Sequence, residues 1–135
     1  MKKRFLFIFV LSTNILFCQR NFESKVVDSI FKTIPNLKTN KEIINAYTDL
    51  SQEYKSLNPE KGIIYGEKAL QYANKLNWNE GKANALLNIG KNYYSQGEYK
   101  IAFKKFEEAL PYSEEKITLG RIYRNIALTY ISLGD

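Results

Sequence analysis

The run Asn88-Ile89-Gly90-Lys91-Asn92-Tyr93-Tyr94-Ser95-Gln96-Gly97-Glu98-Tyr99, followed by Ala102, Phe106 and Ala109, sets small and aromatic residues at the spacing of two helices joined by a tight turn. A near copy lies upstream, at Tyr47, Leu50, Ser51 and Tyr54 and then Gly62, Gly66 and Ala69. The first half of another lies downstream, at Tyr123, Ile126, Ala127 and Tyr130. Leu50 and Ile89 are 39 residues apart, and Ile89 and Ile126 are 37 apart. Recurrence at such a period means stacked hairpins, because each one leaves an apolar side that only a neighbour can cover. The fold class that follows is all-α, with antiparallel helix hairpins stacked into a solenoid.

Start and stop signals place the helices. An amphipathic stretch from Glu23 to Ile34 is ended by Pro35. Thr39-Asn40-Lys41-Glu42 has the form of a capping box and opens a helix with the apolar stripe Ile43, Ile44, Tyr47, Leu50 and Tyr54. Asn58-Pro59-Glu60 supplies a cap, a proline for the first turn and an acid beside the helix N-terminus. The helix it opens carries Ile63, Ile64, Ala69, Leu70, Ala73 and Leu76 as its expected buried side. A turn at residues 77–79 leads to a helix from about Glu80, which Gly97 ends in a left-handed conformation. The next, from about Glu98, is expected to bury Ala102, Phe103, Phe106, Ala109 and Leu110, with Pro111 kinking or shortening its last turn. A final helix covers about residues 117–133.

The unit from Ala83 to Lys116 resembles the tetratricopeptide repeat. The large, leucine-like, small and tyrosine positions of that family's first helix are filled by Leu86, Ile89, Gly90 and Tyr93. The small, aromatic and alanine positions of its second helix are filled by Ala102, Phe106 and Ala109, and Gly97 and Tyr99 fit its Gly-x-Tyr turn. Its late proline is missing, with Pro111 three residues too early. The upstream unit, about 44–80, has Gly66 where the ring should stand, so Tyr65 is expected to swing in; the downstream half unit covers 120–135. The resemblance implies a right-handed superhelix whose first helices form a concave binding face. On this chain that face holds Thr48, Gln52, Asn84, Leu87, Asn88, Lys91, Tyr94, Arg121, Arg124 and Asn125. Some family members clamp a C-terminal carboxylate there. Asn88 and Arg121 match that clamp, whereas Thr48, Gln52 and Asn125 replace its other residues.

A protein or peptide partner is therefore expected, and no chemistry. The chain has no His, hence no general base of the usual kind near neutral pH, and one Cys, too few for a disulfide or a thiolate cage. Glu107-Glu108 and Glu114-Glu115 are adjacent pairs, which point apart on a helix. No cofactor is implied. Lys2, Lys3 and Arg4 supply half of the formal charge of +6. The remaining Lys and Glu are interspersed along each helix, unlike the clustered basic stripe of a nucleic-acid binder.

Met1 to Arg4 and the apolar run Phe5 to Phe17 have the layout of a secretory signal peptide, too short for a membrane span. Cleavage after Cys18, leaving Gln19 first, is preferred over lipid modification of Cys18, because Phe17 is not the small residue that lipoprotein signals carry. Residues 19–40 then form an N-terminal helix and turn ahead of the repeats. Leu50-Ser51-Gln52-Glu53-Tyr54 and Asn58-Pro59-Glu60-Lys61, behind a signal peptide, are similar to the exported sensory front end of bacterial membrane-bound histidine kinases. The last helix has nothing after it in the sequence to cover its apolar side, and each buried apolar side chain is worth about 1.5–3 kcal/mol. The expectation is an N-terminal piece of a longer signalling protein. The alternative is a stand-alone scaffold that dimerises through Ile122, Tyr123, Ile126 and Tyr130.

Overall fold

The computed structural model describes residues 25–134. The expected signal segment and its cleavage site lie outside them. Residues 25–33 are helical (α1) and pass into a 3-10 turn, Ile34–Asn36, that contains Pro35. Five longer helices follow: α2 (Asn40–Tyr54), α3 (Pro59–Leu76), α4 (Asn79–Ser95), α5 (Tyr99–Ala109) and α6 (Lys116–Gly134). A 3-10 turn, Leu110–Tyr112, carries Pro111 and ends α5 early. Among the described residues there is no strand.

The ends are fixed by local chemistry. Thr39 Oγ1 accepts from the Glu42 N–H at 3.2 Å, and the Glu42 carboxylate accepts from the N–H groups of Thr39 and Lys38 at 2.9 and 3.0 Å. Those backbone donors, Thr39 first, hold the Glu42 carboxyl below its ordinary pKa. Asn58 Oδ1 accepts from the Lys61 N–H at 3.0 Å and Pro59 opens α3. Two helices end through a left-handed residue, Asn77 (φ 54°) and Gly97 (φ 78°). In both, the next N–H reaches back five residues, Trp78 to the Ala73 carbonyl and Glu98 to the Tyr93 carbonyl, each at 3.0 Å.

Ring and side-chain pairs give the register. Tyr47 meets Tyr72 and Tyr54 meets Tyr65, with centroids 5.8 and 5.4 Å apart, so α2 and α3 run antiparallel. Asn88 reaches Thr48 and Asn92 reaches Ser51, so α2 and α4 run parallel, one unit apart. Glu80 meets the Glu114 and Glu115 N–H groups at the start of α6 and the Tyr94 hydroxyl lies 2.8 Å from that of Ser132 near its end, so α6 runs parallel to α4. The result is a helical-repeat solenoid in which consecutive helices pack on one another. Its core has two clusters: Ile44, Ala69, Ala73 and Ala85 around the first hairpin, and Leu86, Leu87, Ala102, Phe106, Ala109 and Ile122 around the second.

Two expectations change. Ala69 and Ala73 are buried as expected, but Ile64 is 51% exposed and Leu76 also faces solvent; Gly62 and Gly66 complete the buried side of α3, because that side meets two helices at once. Gly62 makes room for Asn92 of α4. The ring of Phe106 lies directly on Gly90. Ile122 has no exposure and Ile126 packs against the second cluster, so neither belongs to a bare edge. Tyr65 does lie against α2, stacked on both Tyr54 and Tyr47.

A methyl group at Gly90 would overlap the fully buried ring of Phe106, which has nowhere to move. Gly90→Ala is expected to destabilise the chain by about 1–3 kcal/mol, read as a lower midpoint in urea. Adding Phe106→Leu to Gly90→Ala should recover part of that loss.

Candidate functional site

Because α2, α4 and α6 lie side by side and parallel, residues one turn apart on each face a common groove. A cavity of about 470 Å³ is walled by Asn45, Thr48, Asp49 and Gln52 of α2 and by Asn84, Leu87, Asn88 and Lys91 of α4, with Arg121 and Arg124 of α6 on the far side. A second cavity of about 360 Å³ adjoins it through the shared residues Gln52, Lys91 and Arg124, and adds Lys55, Tyr94 and Asn125. Of the ten positions named from the sequence, eight line the first cavity, while Tyr94 and Asn125 line the second. Asn45, Asp49 and Lys55 were missed, although they sit three or four residues from Thr48 and Gln52 and share their helix face.

The polar groups are not equally free. Asn88 is 7% exposed; its Nδ2 donates to the Thr48 carbonyl at 3.3 Å and its Oδ1 accepts from Lys91 Nζ at 3.2 Å. It therefore positions Lys91 rather than offering a free amide to a ligand. Lys91 Nζ also donates to Gln52 Oε1 at 3.2 Å, which leaves the third ammonium hydrogen of Lys91 for another acceptor. Arg121 and Arg124 pair with no carboxylate among the described residues. The Asn125 amide donates to the Arg121 carbonyl at 2.7 Å, inside its own helix.

Lys91, Arg121, Arg124 and Lys55 thus gather around a cavity in which Asp49 supplies the one carboxylate lining it. Burial, and then the charges of Lys55, Arg121 and Arg124, push Lys91 down to about 8. Burial and the neighbouring charge of Glu53 raise the Asp49 carboxyl above its usual value. Such an arrangement leaves an excess of positive charge on the cavity wall. Among the described residues no group of His, Cys, Asp and Glu side chains has the makings of a metal site. No helix among them is long and apolar enough to cross a membrane.

Comparison with known proteins agrees with the repeat. Tetratricopeptide repeat protein 29 of Trypanosoma brucei brucei (strain 927/4 GUTat10.1) is 29% identical over 68 residues, half of this chain. The match spans 14% of that protein's length. No family model matches the chain, and no solved structure matches it. Similarity and fold together support a tetratricopeptide-like helical repeat, in general kind a protein-interaction module.

The lowered pKa of Lys91 has a definite sign in stability. Between about 8 and 10.5 the unfolded chain holds a proton on Lys91 that the folded chain has released, so stability rises with pH across that window. Below it both states are charged and the penalty is constant. A midpoint near 8 for Lys91 by heteronuclear NMR, and loss of its share of the rise in Lys91→Gln, are the expected results.

Proposed function

We propose that the groove between α2, α4 and α6 binds an extended protein segment through an acidic group, a carboxylate at a chain end or on a side chain. The carrying observation is the convergence of Lys91, Arg121 and Arg124 on one cavity with Asp49 as its lining acid. Leu87, which is 2% exposed, and Tyr94 give the groove an apolar floor and rim against which a side chain can rest. The interaction is non-catalytic.

We also propose that the module is exported and serves as the input part of a larger signalling protein. This reading is supported by the sequence of residues 1–18 and by the likeness of residues 50–61 to sensor front ends. Intact mass of the exported chain should begin at Gln19, free or cyclised. A diacylglyceryl mass on Cys18 would mean a lipid anchor instead.

Fluorescence anisotropy with labelled acidic peptides tests the groove. Charge-assisted hydrogen bonds are worth about 1.5–3 kcal/mol each, so Arg121→Ala with Arg124→Ala should weaken binding at least tenfold. Amidating the peptide end separates a terminal carboxylate from side-chain acids. Added salt should weaken binding. Affinity should also fall as pH rises past about 8, because bound anion needs Lys91 charged. Unchanged affinity in the double variant would remove the groove from the mechanism.

A further inference from the structure

Four tyrosines line the seam between α2 and α3. Tyr54 and Tyr65 stack with centroids 5.4 Å apart and planes 17° from parallel. Tyr65 also stacks on Tyr47, at 6.2 Å and 11°, and Tyr47 stacks on Tyr72, at 5.8 Å and 25°. The rings thus form one row, Tyr54, Tyr65, Tyr47 and Tyr72, drawn alternately from the two helices. All four are half-buried, within reach of a small solute but shielded from another protein. Burial, and then the nearness of Tyr54 and Tyr47, raise the Tyr65 phenol above its ordinary pKa.

The one Met and the one Cys of the chain are Met1 and Cys18, so residues 25–134 hold no sulfur. With no thiol or thioether to attack, a one-electron oxidant must draw on Tyr or on Trp78 there. An oxidised tyrosine sheds its phenolic proton and becomes a neutral phenoxyl radical. Lys61 Nζ lies 5.7 Å from the centre of the Tyr54 ring and Lys68 Nζ 5.3 Å from that of Tyr65. Each favours that proton loss, because a cation beside the ring repels positive charge held on it. A radical formed in the row can take an electron from the next ring and so move along it. The unpaired electron occupies π orbitals whose lobes stand perpendicular to the ring. Two phenoxyls join through ring carbons where those lobes face each other. Near-parallel stacking meets that condition; steeply tilted rings do not.

We infer that Tyr54 and Tyr65 are an oxidative cross-linking site that joins α2 to α3 by a carbon–carbon bond between the rings. Each ring gives up one electron and its phenolic proton. The bond forms between the carbons ortho to the two oxygens. The two hydrogens on those carbons then move as protons to the oxygens and restore both phenols. The net loss is two electrons and two protons. A peroxide accepts the electrons as its O–O bond breaks, and hydrogen peroxide takes up the protons as well, leaving two waters. The link ties the first hairpin together as a disulfide would, in a stretch that has no Cys.

Photo-oxidation of the dilute purified protein with persulfate, itself a peroxide, and tris(bipyridine)ruthenium(II) tests this. Trypsin should then release residues 42–55 joined to residues 62–68, lighter by two hydrogens than the two peptides together and carrying dityrosine fluorescence. Tyr54→Phe and Tyr65→Phe, which keep the ring, should each lower that product at least tenfold, while Tyr47→Phe retains it. Tyr94 and Tyr99 are an internal control. They are also half-buried and closer, at 5.1 Å, but tilted by 56°, so their link should be at least tenfold scarcer. Four results would overturn the inference. One is no joined peptide. The second is a joined peptide as abundant in denaturing urea as in the folded chain. The third is a Tyr94–Tyr99 link of equal yield. The last is coupling only between copies, through the exposed Tyr123 and Tyr130.

Discussion

How closely two helix backbones approach is limited by the side chains between them, and in this chain that limit is set by glycine and alanine. Phe106 reaches the α4 backbone only because Gly90 has no Cβ, and Asn92 reaches the α3 backbone only because Gly62 has none. Ala69, Ala73, Ala83, Ala85, Ala102 and Ala109 are fully buried and bring the remaining contacts within the same short distance. Large side chains in those places would push the helices apart, and the parallel row of α2, α4 and α6 that forms the groove would open. Fully buried Phe106, Ile44, Leu50, Leu86, Leu87, Ile89 and Ile122 supply the bulk of the apolar burial, and the small residues let the helices close on them.

Small residues permit closeness but do not choose a register; polar side chains do. Asn92 is fully buried, and its amide donates to the Ser51 carbonyl, the Ser51 hydroxyl and the Asn88 carbonyl at 3.0, 3.2 and 2.8 Å. Sliding α4 along α2 by one turn would strand that amide in the core, at a penalty of about 1–3 kcal/mol. At the other side of the unit, the Glu80 carboxylate, 4% exposed, accepts from the N–H groups of Glu114 and Glu115 at 2.9 and 3.1 Å. An acid from the first turn of α4 thus satisfies donors at the entry to α6, where the helix dipole also favours negative charge. These two contacts hold neighbouring units at the offset that lines up the groove residues. Asn92 Oδ1, which finds no donor, is left against the bare backbone of Gly62.

Much of this was legible in the sequence because repeat packing is written in residue size. Thr39, Asn58 and Gly97 marked helix ends, and Gly90, Ala102, Phe106 and Ala109 marked a hairpin, each through a local rule. What escaped was mostly non-local. Ile64 reads as core by its chemistry, yet the side of α3 that meets both α2 and α4 is occupied by Gly62 and Gly66, which the repeat pattern flags but a hydrophobic pattern does not. Asn92 looks like a surface residue until Ser51, from another unit, comes within reach. The groove positions followed from repeat geometry, but their charge did not. Lys55, Lys91, Arg121 and Arg124 lie on three helices and are interspersed with acids in sequence, so only the stacked structure collects them.

That collection of charge bears on why the groove is built from both apolar and cationic parts. Lys91 is brought into a half-buried position among three other cations, and its lowered pKa means that charging it works against the folded state. A purely structural surface would gain from a neutral side chain there, since desolvation and repulsion both act against the ammonium. The hydrogen bonds from Lys91 Nζ to Gln52 and Asn88 orient the group but supply no negative charge. Asp49 is the nearest thing to a counter-ion in the cavity lining, and its own pKa is raised, by partial desolvation and then by Glu53, where a tightly paired carboxylate would be lowered. On the reading proposed above, an anionic group of the bound segment supplies the negative charge. A carboxylate entering the groove would meet donors already in place and relieve repulsion already present, so part of its binding energy is stored in the unliganded fold. The same repulsion makes the groove a weak point in stability, the direction of compromise that the proposed binding role entails.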